Sequence, residues 1–116
     1  MLGKVSPCYR IPITEADMID RDFIRGFVKL YTLWRASKGE VYGMEILDEM
    51  RKLGFPLSPG TLYPLLHTLL RERDVTVKTR NVHGRLRKFY RATPKGRKEV
   101  QEVINRLSYL IHKVFR

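Results

Sequence analysis

The apolar residues of this chain change their spacing along its length, and each change marks an element. Phe23, Ile24, Phe27, Leu30, Tyr31 and Trp34 recur every three or four positions, which places them on one helical stripe. Asp17, Asp20 and Asp22 stand near the start of that helix, where negative charge is favoured, and Lys38-Gly39 ends it. A shorter helix is predicted from about Gly43 to Leu53, with Ile46, Leu47 and Met50 inward and Gly54 as its stop. In a third, Ser58 suits the N-cap, Pro59 the first helical position, and Leu62, Leu65, Leu66 and Leu69 form the apolar stripe. Pro64 strains that reading, because it removes a backbone donor well inside the helix. Either the first turn is irregular or the helix proper begins near Tyr63. The period then falls to two. Val75 and Val77 alternate with polar residues, Asn81 to Gly84 is a turn, and Leu86 to Arg91 is the returning strand. Thr93-Pro94 repeats the cap-plus-proline signal and opens a helix that can run to the C-terminus.

Met1 to about Ile13 holds Pro7 and Pro12 without periodicity and reads as an arm. The expected organisation is therefore an arm over residues 1–16, a globular unit over 17–92 and a long helix over 93–116. The class is mainly α with a small β-hairpin.

Charge adds a partner to this outline. Of 116 residues, 23 are Lys or Arg and 12 are Asp or Glu, a formal net charge of +11. Residues 1–57 are nearly neutral, with 9 basic against 8 acidic, whereas residues 58–116 carry 14 against 4. The densest run, Arg71 to Lys98, has 11 basic residues opposed only by Glu72 and Asp74. Such a one-sided field attracts a polyanion. A basic face would also suit a ribosomal protein or an anionic membrane surface. No apolar run approaches the roughly 20 residues that span a bilayer.

Two helices joined by the short Gly54-to-Leu57 link and followed by a basic hairpin form the layout of a winged helix-turn-helix. In that layout the second helix of the pair is presented to the DNA major groove. With Leu62, Leu66 and Leu69 inward, Gly60, Pro64, His67, Thr68 and Arg71 face outward, with Thr61 and Tyr63 on the flanks. Ser58, Gly60, Thr61, Tyr63, Pro64, His67 and Arg71 are the candidate recognition-helix residues. Tyr63 could equally be a packing residue, His67 a plain surface histidine and Arg71 a compensation for the helix end. The candidate wing residues are Lys78, Arg80, His83, Arg85, Arg87 and Lys88, able to follow the phosphate backbone or enter the minor groove. The buried face of the return strand is open: Phe89 inward turns Lys88 and Tyr90 out, and the reverse choice exchanges them. On the last helix Val100, Val103, Leu107, Leu110 and Val114 recur at 3, 4, 3 and 4 residues, the spacing of a helix–helix seam. Ile104 and Ile111 widen it. One flank is expected to pack on the Phe23-to-Trp34 stripe and the other to meet a second copy in a homodimer.

Several ordered segments resemble the PadR-like transcription regulators: Phe23-Ile24-Arg25-Gly26-Phe27, Val41-Tyr42-Gly43-Met44-Glu45-Ile46, Ser58 to Leu66, Gly84-Arg85-Leu86-Arg87-Lys88-Phe89-Tyr90 and Thr93-Pro94-Lys95-Gly96. Gly60-Thr61-Leu62-Tyr63-Pro64 is the most specific of them. The resemblance implies a prokaryotic repressor with a winged-helix fold that binds double-stranded DNA through Ser58–Pro64 and the Gly84–Lys88 wing and dimerises by the last helix. Some relatives bind aromatic drugs or phenolic acids between subunits, so it also adds a small aromatic effector, with no residue assigned to it. Two departures stand out: the N-terminal arm is longer than the family's short lead, and Arg73-Asp74-Val75-Thr76 stands where a glycine-led entry into the wing is expected.

Catalysis is not expected. His67, His83 and His112 are far apart, Cys8 has no evident base, and neither a phosphate-cradling glycine loop nor a metal-spaced Cys/His set occurs. No cofactor or metal is expected. One cysteine precludes an intrachain disulfide, and the N-terminus lacks the pattern of a secretory signal. A reducing prokaryotic cytoplasm is the expected compartment, with the nucleoid as the location when bound. The other readings of the same residues are an RNA-binding or ribosome-associated winged-helix module and a protein-docking winged helix; phosphate contacts alone do not separate DNA from RNA.

Overall fold

The computed structural model describes residues 18–115; the expected arm with Cys8 lies outside them. Helix α1 (Met18–Ser37) is followed by the two-residue strand β1 (Val41–Tyr42), helices α2 (Gly43–Lys52) and α3 (Pro59–Arg71), strands β2 (Val75–Val82) and β3 (Arg85–Ala92), and helix α4 (Pro94–Val114). The sheet is antiparallel with order β1-β3-β2. The expected hairpin is thus present and gains a third strand. Two residues carry no period, so β1 becomes visible only through its pairing of Val41 with Tyr90 and Tyr42 with Phe89.

The hairpin closes on a two-residue turn in which His83 and Gly84 both have positive φ, 53° and 82°. That mirror-image turn matches the strand twist and favours glycine at its second position. The Asn81 side chain accepts the Gly84 N–H at 2.9 Å. On β3 the open choice resolves with Tyr90 and Ala92 buried, so Phe89 lies on the opposite, outer face.

The core is formed by Val28, Leu33, Val41, Ile46, Met50, Leu62, Leu66, Leu69, Val75 and Val100 with their neighbours. Along α1 this corrects the expected stripe. Val28, Thr32, Leu33 and Ala36 form the buried line, while Ile24, Phe27, Leu30, Tyr31 and Trp34 are half-buried and Phe23 is 64% exposed. Small and branched side chains let α1 approach its neighbours closely, and the larger rings fan along the rim. There Phe23, Phe27, Tyr31 and Trp34 stack in sequence, with centroids 6.4, 6.2 and 5.7 Å apart, and Phe55 meets Phe27 at 5.8 Å. The Tyr31 hydroxyl donates to Glu49 at 2.6 Å and Arg35 to the same carboxylate at 3.2 Å, which ties α1 to α2. Burial, reinforced by that carboxylate, pushes the Tyr31 phenol up to about 12.

Helix α3 runs unbroken through Pro64. The amide that Pro64 lacks would have served the carbonyl of Gly60, in the exposed first turn where water can replace it. The irregular start considered from sequence is therefore not needed.

Candidate nucleic-acid interface

The exposed side of α3 carries Gly60, Tyr63, Pro64, His67 and Arg71, as its periodicity implies, with Thr61 and Thr68 half-buried. Ser58 occupies the N-cap with extended backbone, but its hydroxyl does not cap an amide. It lies 3.3 Å from the Thr61 hydroxyl instead. The Thr68 hydroxyl donates to the Pro64 carbonyl and receives Arg71 at 3.3 Å, which steadies that guanidinium on the helix surface. Tyr63 has two aspects. It is 37% exposed, yet its hydroxyl rests on the start of α2, where a Cβ at Gly43 would be 2.6 Å away.

Gly60 is informative because the fold does not require it. A Cβ there would meet nothing nearer than the Ser58 hydroxyl at 3.7 Å. We expect Gly60→Val to leave thermal stability within about 1 kcal/mol of wild type while weakening duplex binding at least tenfold, read by melting and by fluorescence anisotropy. Wild-type binding by that variant would remove the first turn of α3 from the interface.

Strand register sorts the wing cations. Cross-strand pairs share a face, so the pairs Thr76–Arg91, Lys78–Phe89, Arg80–Arg87 and Val82–Arg85 all lie on the outer side. Lys88 projects from the other side with Tyr90, His83 sits in the turn, and Leu86 at the tip is 74% exposed. Arg80, one of the candidate wing residues, is paired with Glu40 at 2.6 Å.

The base of the wing holds a knot that sequence reasoning missed. Asp74 is buried and receives Lys95 at 2.8 Å; Lys95 also donates to the Glu72 carbonyl at 2.9 Å and pairs with Glu99 at 2.9 Å. Asp74 first, and then Glu99, hold the Lys95 ammonium above the ordinary lysine range. Thr93 donates its amide to the Asp74 carbonyl at 2.9 Å and its hydroxyl to Arg73 at 2.8 Å, while the same hydroxyl caps α4 by accepting the Gly96 N–H. Arg73 itself has φ +62°, the conformation the expected glycine would take without strain. The Thr93-Pro94-Lys95-Gly96 segment was the available signal, but nothing local connected it to Asp74.

The seam expected on α4 divides in two. Val100 is 3% exposed, a member of the protein's own core, and Ile104 is half-buried against it, so Val100 drops out of any free surface. Val103, Leu107, Leu110, Ile111 and Val114 are exposed, with Leu107 at 41% and Leu110 at 43%. A shallow groove on this stretch is lined by Ile104, Leu107, Ser108, Ile111 and His112. Among the described residues, no group of three or more His, Cys, Asp or Glu could hold a metal ion, and no helix is long and apolar enough to cross a membrane.

A helix pair whose second member is exposed beside a basic hairpin defines a winged helix-turn-helix protein of the DNA-binding kind. Residues 30–102 match the sequence profile of the Transcriptional regulator PadR-like family. The chain is 40% identical over 94 residues to Transcriptional regulator Rv3488 of Mycobacterium tuberculosis, covering 81% of this chain and 88% of that one. A PadR-like transcription factor from Bacteroides fragilis superposes with a TM-score of 0.73 at 23% identity, over 84% of this chain and 96% of that one. A PadR family transcriptional regulator from Eggerthella lenta gives 0.74 at 24% identity, over 85% and 88%. The chain belongs to the PadR-like family of transcriptional regulators.

Proposed function

We propose that the protein is a homodimeric repressor that binds a specific, pseudo-palindromic duplex site. The supporting observation is the pairing of an exposed α3 face, whose Gly60 is dispensable to the fold, with a hairpin bearing Lys78, Arg85, Arg87 and Lys88. In this reading α3 enters the major groove, with Thr61, Tyr63, His67 and Arg71 reaching base edges or phosphates, and the wing follows the backbone. The free apolar flank of α4 covers itself with a two-fold copy, which sets two recognition helices about one DNA turn apart, roughly 34–36 Å. Such a protein works where the chromosome is, in the cytoplasm and on the nucleoid of a prokaryote. A small aromatic effector would find its apolar lining in the groove around Leu107 and Ile111.

The test is the salt dependence of binding. Each arginine on a phosphate contributes about 0.9 to the slope of log K against log salt, so Arg85→Ala with Arg87→Ala should flatten a dimer's slope by up to about 3.6. The loss should be equal for operator and random DNA, because phosphates carry no sequence information. Competition by duplex RNA and single strands runs alongside. An unchanged slope, or duplex RNA competing as well as DNA, rejects the proposal.

A further inference from the structure

The outer face of the sheet carries more charge than the fold can use. Lys78, Arg80, Arg85, Arg87 and Arg91 all point from it, and among the described residues Glu40 is the carboxylate paired with one of them. Arg80 and Arg87 stand directly opposite each other on β2 and β3, an arrangement of like charges that destabilises an antiparallel pair. Each is nevertheless held in place. The Arg80 guanidinium lies 3.9 Å from the centre of the Phe89 ring, and that of Arg87 lies 4.4 Å from the centre of Tyr42. The two rings brace each other edge to face at 5.4 Å. Glu40 closes the array on Arg80, whose hydrogen bond keeps the carboxyl below the usual carboxylate range, with Arg91 and Lys78 adding to the field.

We propose that Tyr42 and Phe89 are positioning residues that hold Arg80 and Arg87 as a preformed phosphate-binding pair on the outer face of the sheet, with Glu40 occupying Arg80 until a DNA phosphate replaces it. The proposal rests on the duplex-binding reading above and extends it to a backbone contact beyond the wing tip. Two stacked guanidinium groups have lost rotamer freedom before binding, so less ordering remains to oppose the contact. The occupant is duplex DNA because the face is a concentrated cationic surface, complementary in charge to a polyanion. Tyr42 belongs to the array, and the Tyr63 hydroxyl of α3 lies against the next residue, Gly43.

The experiment measures binding of the full chain to a fixed random-sequence duplex across a salt series. Phe89→Leu removes a stack without removing a charge. It should weaken binding about threefold per protomer, roughly tenfold for a two-fold complex, with the salt slope unchanged. Glu40→Gln should tighten binding about threefold and steepen the slope by about 0.9 per protomer, and the gain should vanish when Arg80→Ala is added. Wild-type affinity and slope in Glu40→Gln, or an equal gain with and without Arg80, overturns the proposal even where Phe89→Leu folds poorly. A wild type that binds the duplex while both variants match it rejects only this inference. A wild type that binds no duplex rejects the proposed function and this inference together.

Discussion

Gly96→Ala is expected to cost at least about 3 kcal/mol and to lower the melting temperature by roughly 10 °C or more. The glycine lies at the start of α4, where the helix crosses the entry to the wing. A Cβ there would collide with the Asp74 carbonyl oxygen and would sit 3.0 Å from the Asp74 carbonyl carbon and 3.1 Å from Leu33 Cδ1. The obstacle is backbone, which cannot rotate aside as the end of a side chain can. That carbonyl also receives the Thr93 amide and hydroxyl, so displacing it undoes the knot that fixes α4 to the end of α3. The surviving variant should therefore show both lower stability and weaker duplex binding, because in the proposed dimer the angle between α4 and α3 would set the spacing of the two recognition helices. Thermal melting by circular dichroism decides the first part. A melting temperature within two degrees of wild type would show that the helix does not approach the wing base this closely.

Leu107→Asp is expected to turn a dimer into a monomer that still folds. The leucine is 41% exposed in the single chain, so an aspartate there can reach water and leave the monomer's core intact. In a two-fold seam the same carboxylate would be buried without a partner, at a cost of several kcal/mol. Helix α4 has 21 residues, about 31 Å of length, and the exposed stretch after Ile104 occupies its C-terminal half. Sedimentation should give twice the chain mass for wild type and the single mass for the variant, with similar far-ultraviolet spectra. Loss of the second half-site should weaken operator binding on the order of a hundredfold or more, because the link between two binding modules is gone. Tyr109 is also exposed but lies outside the apolar seam, so Tyr109→Ser should remain dimeric. A monomeric wild type, or a dimeric Leu107→Asp, would end the proposal that α4 forms the interface.

The elements were legible in sequence wherever their cause was local. Apolar spacing placed α2 and α3, and the Thr93-Pro94 signal placed the start of α4 to the residue, whereas in sequence Pro64 leaves the start of α3 open between Pro59 and about Tyr63. The outward side of α3 followed from Leu62, Leu66 and Leu69 alone. Features that depend on distant partners were not legible. The strand β1 exists because Val41 and Tyr42 find the edge of β3, nearly fifty residues on. The pairing of Arg80 with Glu40, 40 residues away, has no local signal. Asp74 read as an odd entry to the wing until Lys95 met it, 21 residues later. The rings of α1 read as core because they are large and evenly spaced, yet close packing went to the smaller Val28, Thr32 and Ala36.

The order of the four helices and the basic hairpin could be read along the chain, because helix periodicity and proline and glycine geometry act over a few residues at a time, and the family was legible only as a resemblance of ordered motifs. Tertiary structure settled which sides of β3 and α4 are left free. It turned Tyr90 inward and Phe89 outward, assigned Val100 to the protein's own core while leaving Leu107 exposed, and gathered five cations, two aromatic rings and one carboxylate on a single sheet face. The physical reason is that burial and charge pairing depend on distance in space, and a one-dimensional pattern contains that distance only for neighbours along the chain.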